Sequence, residues 1–177
     1  MWQAYKKIKY ILYWFILELI LVNLAYAINL HKLSACIYHA SQITHLDYKL
    51  LLAIYKTESN LQPYAISVCK NGREVYSFSP TNKQEAVMIA KYFIKHGYNV
   101  DMGIGQVDSE NLSSLHLSVE DIFDPCVNVY ASAYILEGCI KTYGYTTKAI
   151  DCYNKGNNAS YNSLYVYKVF QAYKTIP

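Results

Sequence analysis

The apolar residues of this 177-residue chain keep a helical period almost throughout and break it once. In "DYKLLLAIYKTES", Leu51, Ile54, Tyr55 and Glu58 fall at i, i+3, i+4 and i+7, one face of a helix whose expected N-cap is Asp47. Residues 32–43, "KLSACIYHASQI", read as a first short helix before it. The period changes in "AISVCKNGREVYSFS", where two short runs flank Asn71-Gly72, a pair whose left-handed preference closes a two-residue hairpin. Helical spacing returns in "TNKQEAVMIAKYFIKHG", stopped by Gly97, and again over residues 127–143, 146–154 and 163–174. The segment "NVDMGIGQVDSENL" reads as an irregular turn leading into a short helix. With no repeat, long linker or low-complexity tract, the pattern predicts an α+β, mostly α-helical single domain with a small β-hairpin.

The N-terminus predicts an export signal over residues 1–27. Lys6, Lys7 and Lys9 form a basic start, "YILYWFILELILV" an apolar core, and Ala25, Tyr26 and Ala27 a small-x-small cleavage site. Glu18 interrupts the core, and the rival reading is an uncleaved anchor helix, although the run is short for a full span. Cleavage after Ala27 leaves residues 28–177 as the mature domain in the periplasm, with membrane contact only through the N-terminal segment if it is retained. The whole chain carries a formal charge of +3, but three lysines and one glutamate precede residue 28, leaving about +1 afterwards. That balance gives nucleic-acid binding no electrostatic support. Composition, 53% apolar and 16% charged, excludes a disordered tail and a multi-span membrane protein.

Five cysteines, Cys36, Cys69, Cys126, Cys139 and Cys152, all follow the signal. In an exported chain they imply disulfides, and an odd count leaves one thiol over. No C-x-x-C is present, which argues against a zinc ribbon or thioredoxin-like site. His31, His39, His45, His96 and His116 lack metal-ligand spacing, so no metal and no cofactor are expected. "GIG" fails as a dinucleotide fingerprint because Asp108 stands where glycine is needed, and Ser59 lacks a hydrolase nucleophile's G-x-S-x-G setting. The twenty tyrosines suit either a sugar-binding surface or ordinary amphipathic packing.

Glu58 is the residue to explain. A carboxyl on an apolar helix face loses hydration, which raises its pKa, and the negative end of the helix dipole pushes the same way. A carboxylic acid still protonated near neutral pH can protonate a glycosidic oxygen. The plainer alternative is a helix-terminal glutamate with its head in water.

The residues around it carry a resemblance. "TESNLQPYAIS" resembles the Glu-Ser motif of the lytic transglycosylases, "DMGIGQVDSENL" their Gly-x-x-Gln motif with Gly103 and Gln106, and "IDCYNKG" their Tyr-Asn-x-Gly element at Tyr153, Asn154 and Gly156. The order is also the family's. "KQEAVMIAKYFIKHGYNVDMGIGQVDSENL" and "LSVEDIFDPCVNVYASAYIL" are similar to the specialised transglycosylases of type IV secretion systems, so the likeness runs from about Cys36 to Phe170. The chain departs from the family with Val107 and Asp108 after Gln106, and with Lys155 after Asn154, both of which add charge near the cleft.

The resemblance implies a lysozyme-like fold and peptidoglycan glycan strands as substrate. Glu58 would be the sole general acid/base, Ser59 would position the N-acetyl group or the Glu58 loop, and Gln106 would bond sugar. Tyr153, followed by Asn154, would contact both Glu58 and the glycan. Gln106 and Tyr153 would line the cleft, so alanine at either should cost activity and leave the fold intact. Secretion-system subunits are the implied partners. A hydrolytic muramidase and a wall-docked, non-catalytic assembly factor are the competing functions. Relatives also imply a Cys36–Cys126 bridge. Cys139 and Cys152, on consecutive helical segments, could form a second, with Cys69 left free; Cys69 could replace either, or all three could stay reduced.

Overall fold

The computed structural model describes residues 2–177, except for the side chains of residues 2–13, 25, 26, 28 and 29. The side chains of Lys6, Lys7 and Lys9, and of Ala25 and Tyr26 at the expected cleavage site, lie outside the described residues. Two units are distinguished, residues 1–35 and residues 36–177. Helix α1 spans Trp2–Thr44, so the expected short helix over 32–43 is the end of a longer one. Trp14, Phe15, Leu19, Ile20 and Val22 of the first unit are exposed. No helix among the described residues is long and apolar enough to cross a membrane.

The second unit continues with α2 (Tyr48–Ser59), α3 (Lys83–Lys95), α4 (Leu112–Leu115), α5 (Val119–Ile122), α6 (Pro125–Tyr143), α7 (Thr147–Lys155) and α8 (Leu164–Thr175). Its sheet has four antiparallel strands, β1 (Ile66–Lys70), β2 (Arg73–Phe78), β3 (Asn99–Met102) and β4 (Val107–Asp108), in the order β2-β1-β3-β4. The β1–β2 hairpin turns at Asn71-Gly72, both at positive φ (52° and 71°), as a two-residue turn matched to strand twist requires. β3 and β4 fall within the segment expected to be irregular. Their alternation, Val100 and Met102 in and Asn99 and Asp101 out, is only four residues long and reads poorly without its partner strands.

Caps written in the sequence set the helix starts. Asp47 accepts from Leu50 N (2.6 Å), Ser118 forms a reciprocal capping box with Asp121, and Asp124 accepts from Cys126 N (2.9 Å) and Val127 N (3.1 Å) ahead of Pro125. One core forms where Ile66, Val68, Val100, Met102 and Val107 of the sheet meet Ala86, Ala90, Ile122, Phe123 and Ala131. α6 is buried on several sides, at Asn128, Val129, Ser132, Ala133 and Leu136, as a central helix must be. Two disulfides close the unit: Cys36–Cys126 (Cα–Cα 5.4 Å) and Cys139–Cys152 (Cα–Cα 5.8 Å), with Cys69 free.

Candidate active site

Helix α2 presents Glu58 because its neighbours on the same face are held in the interior. Leu51, Ala53, Ile54 and Tyr55 are buried, and the Tyr55 hydroxyl donates to Val129 O (3.0 Å). Glu58 follows one turn later, half-buried. The chain then reverses through two left-handed residues, Asn60 (φ 53°) and Leu61 (φ 65°). A leucine in that region is uncommon and held there by its surroundings, here by Leu61 N donating to Tyr55 O (3.3 Å). The Ser59 hydroxyl donates to Ile104 O (2.8 Å). Ser59 thus ties the end of α2 to the turn between β3 and β4.

That turn, Gly103–Gln106, is shaped by close approach. A Cβ on Gly105 would lie 2.5 Å from Ser132 Cβ and 2.9 Å from the Tyr153 hydroxyl, while one on Gly103 (φ 75°) would lie 2.3 Å from Asn128 Nδ2. Asn128, buried in α6, accepts from Gly105 N (2.7 Å) and donates to Met102 O (2.8 Å) and Ile122 O (3.0 Å). Gln106, at φ 47°, donates through Nε2 to Ala65 O (3.1 Å) and Gly103 O (2.8 Å). Its amide nitrogen therefore braces the turn, and its Oε1 takes no part in these two bonds. The Tyr153 hydroxyl donates to Gly105 O (2.5 Å). Glu58, Ser59, Gln106 and Tyr153 accordingly gather around one turn. Asn154 is exposed on α7. The charge of Lys155 is not directed at the cleft, since its Nζ lies 3.1 Å from the buried carboxylate of Asp151.

Two residues that sequence reasoning missed complete the site. Tyr165 of α8 donates to Glu58 Oε1 (2.5 Å). Its own pKa is pushed well above the usual phenol value, by burial and then by the charge of Glu58, so it stays a donor. Nothing distinguishes it in the sequence from nineteen other tyrosines. Asp101, half-buried, sits on the face of β3 opposite to Val100 and Met102, paired with Ser67 and Asp108. Its Oδ2 accepts from the Cys69 thiol (3.5 Å). Recognising it required recognising β3.

Electrostatics follow from this packing. Burial raises the Glu58 pKa to about 7; the Tyr165 hydrogen bond opposes that, Asp101 reinforces it and Lys168 opposes it. Asp101 also reaches about 7, through burial first and then its neighbour Asp108. Tyr153 is raised by burial and by Glu58, which places it in the electrostatic reach of that carboxyl although its hydrogen bond goes to Gly105. Among the described residues, no group of three or more His, Cys, Asp or Glu side chains could hold a metal ion. The arrangement offers a carboxyl that gives up and takes back a proton near neutrality.

The type IV secretion system protein virB1 of Brucella suis is 34% identical over 116 residues, covering 60% of this chain and 48% of that protein. The invasion protein IagB of Salmonella typhimurium is 25% identical over 148 residues, covering 80% of this chain and 76% of IagB. The chain thus spans about half the length of the virB1 proteins it matches. A family model described as the transglycosylase SLT domain matches residues 35–174, which takes in α2, the whole sheet and nearly all of α8. The chain belongs to the transglycosylase SLT domain family.

Proposed function

We propose that the protein is a peptidoglycan lytic transglycosylase that opens the cell wall locally for a secretion apparatus. Glu58 protonates the oxygen between N-acetylmuramic acid and N-acetylglucosamine. The substrate's own N-acetyl group stabilises the developing cation. Glu58, now a carboxylate, takes the proton of the muramyl 6-hydroxyl as that oxygen closes a 1,6-anhydro ring on C1. Water is not consumed. The Tyr165 hydroxyl holds the Glu58 carboxyl in place, and Gln106 Oε1, Ser59, Tyr153 and Asn154 are assigned to the sugar or its loop. The single observation carrying this reading is the half-buried Glu58 with a pKa of about 7, set in an SLT domain. The secretion setting rests on the name of virB1. A signal over residues 1–27, and export to the periplasm, rest on the basic start and apolar run alone.

Mass spectrometry of digested sacculi tests the reaction: products ending in 1,6-anhydromuramic acid are expected, and reducing ends alone would overturn it. Glu58→Gln should lower the rate by about 10²–10⁴-fold, the usual worth of a positioned acid/base. If secretion survives that variant but not loss of the chain, a scaffold role is the better account. The hydrolytic alternative has one observation in its favour, the carboxyl of Asp101 within electrostatic reach of Glu58. A two-carboxylate mechanism needs the second group ionised, however, and a pKa of about 7 keeps Asp101 largely neutral below that pH.

A further inference from the structure

Asp151 is a carboxylate with no solvent exposure and no part in the chemistry above. Its Oδ2 accepts from Ser160 N (2.7 Å), Ser160 Oγ (3.1 Å) and Lys155 Nζ (3.1 Å), and its Oδ1 accepts from Ser163 Oγ (2.5 Å). Burial alone would raise its pKa, but these donors together hold it below the ordinary carboxylate value. So many donors on one buried carboxylate fix geometry more than they add stability.

What they fix is the relation of α7 to α8. Asp151 belongs to α7, while Ser160 lies in the connecting loop and Ser163 is the N-cap of α8, accepting from Val166 N (3.1 Å). The carboxylate therefore folds the 156–163 connection back onto α7 and sets where α8 begins. Two residues along α7 is Tyr153, bonded to Gly105 O; two residues past the cap on α8 is Tyr165, bonded to Glu58. Both phenols at the site stand next to this one anchor, and the charge of Asp151 is itself felt at Tyr165.

We propose that Asp151 is a positioning residue for Glu58, acting through the N-terminus of α8 and the Tyr165 hydroxyl. This rests on the reading of Glu58 as general acid. The charged or titratable groups around that carboxyl are Tyr165 and Lys168 on α8, Asp101 on β3 and Tyr153 on α7, and only α7 and α8 are joined by Asp151. The two ways in which Asp151 could influence Glu58 have opposite signs. Loss of its negative charge, acting through space, would lower the Glu58 pKa. Loss of the Tyr165 hydrogen bond, which favours the ionised carboxylate, would raise it.

The test is the pH–rate profile of the whole chain on purified peptidoglycan, for the wild type, Asp151→Asn, Ser163→Ala and Tyr165→Phe, with melting curves alongside. Ser163→Ala changes no charge and serves if Asp151→Asn fails to fold. The alkaline limb, where Glu58 loses its proton, should move to higher pH in both variants, as in Tyr165→Phe. The value of kcat should fall by about 10- to 100-fold with KM little changed, the scale of loss from misplacing a catalytic group. In the Tyr165→Phe background, Ser163→Ala should add almost no further shift. Variants that melt earlier but keep the wild-type limb, or whose limb moves to lower pH, would overturn the proposal. A wild type that releases no anhydromuramyl product would instead remove the Glu58 reading beneath it, and this one too.

Discussion

At the residue scale the site is governed by two carboxyls whose ionisation the fold resists. Asp101 and Glu58 both bind a proton in the folded protein up to about pH 7, whereas in the unfolded chain they release it near pH 4. Between those values the folded state holds more protons, so stability falls as pH rises from about 4 to about 7 and is flat beyond for these groups. Asp101→Asn removes one of the two, and its melting temperature should exceed that of the wild type at pH 8 and depend less on pH. A calorimetric series from pH 4 to 8 checks this, and a variant less stable than the wild type at pH 8 would refute it. The same variant should still form 1,6-anhydro ends. Gln106 is a different case. Alanine there loses two hydrogen bonds that brace the turn, so a loss of about 1–3 kcal/mol should accompany the fall in activity. Chemical denaturation measures it, and an unchanged midpoint would return Gln106 to a purely sugar-binding role, as the sequence alone implied.

At the element scale the turn between β3 and β4 is clamped from α6 and α7 by contacts that leave no space for a side chain at Gly105. Gly105→Ala should cost several kcal/mol or give insoluble protein, because Ser132 lies on a packed helix and cannot retreat. Gly138→Ala, where nothing lies within 4 Å of the added methyl, is the control and should be neutral or slightly stabilising by helix propensity. What the sequence made legible follows the same division. Long amphipathic helices with ordinary caps, the Asn71-Gly72 hairpin and the inward aim of Glu58 are all local signals, carried within one element. β3 and β4 were not legible, since two to four residues of alternation acquire meaning only beside β1. Asn128 and Tyr165 were not legible either, because each acts on a segment more than twenty residues away. The partner of the Tyr153 hydroxyl, Gly105 O, was not legible for the same reason, since it depends on how α7 lies against the turn.

At the scale of the whole molecule, covalent closure adds to a modest core. The Cys36–Cys126 bridge spans 90 residues and the Cys139–Cys152 bridge 13, for which chain entropy gives stabilisation of about 4.6 and about 2.9 kcal/mol. Cys36→Ser/Cys126→Ser should therefore lower the unfolding free energy more than Cys139→Ser/Cys152→Ser; the reverse order in urea titrations would show that strain or residual structure outweighs loop length. Cys69 remains as the odd thiol, and its surroundings bear on how the others pair. Burial, and then the negative charges of Asp101, Glu74 and Asp108, push it up to about 12. Disulfide exchange proceeds through the thiolate, so at pH 7 the reactive fraction is about a thousandfold below that of a thiol titrating at 9. The greater nucleophilicity of the more basic sulfur restores only about twentyfold of that. Once the sheet has formed, Cys69 is therefore slower to exchange than an ordinary cysteine. The carboxylates around Cys69 (Asp101 on β3, Asp108 on β4 and Glu74 on β2) thereby keep the odd thiol in its less reactive form once the sheet is built.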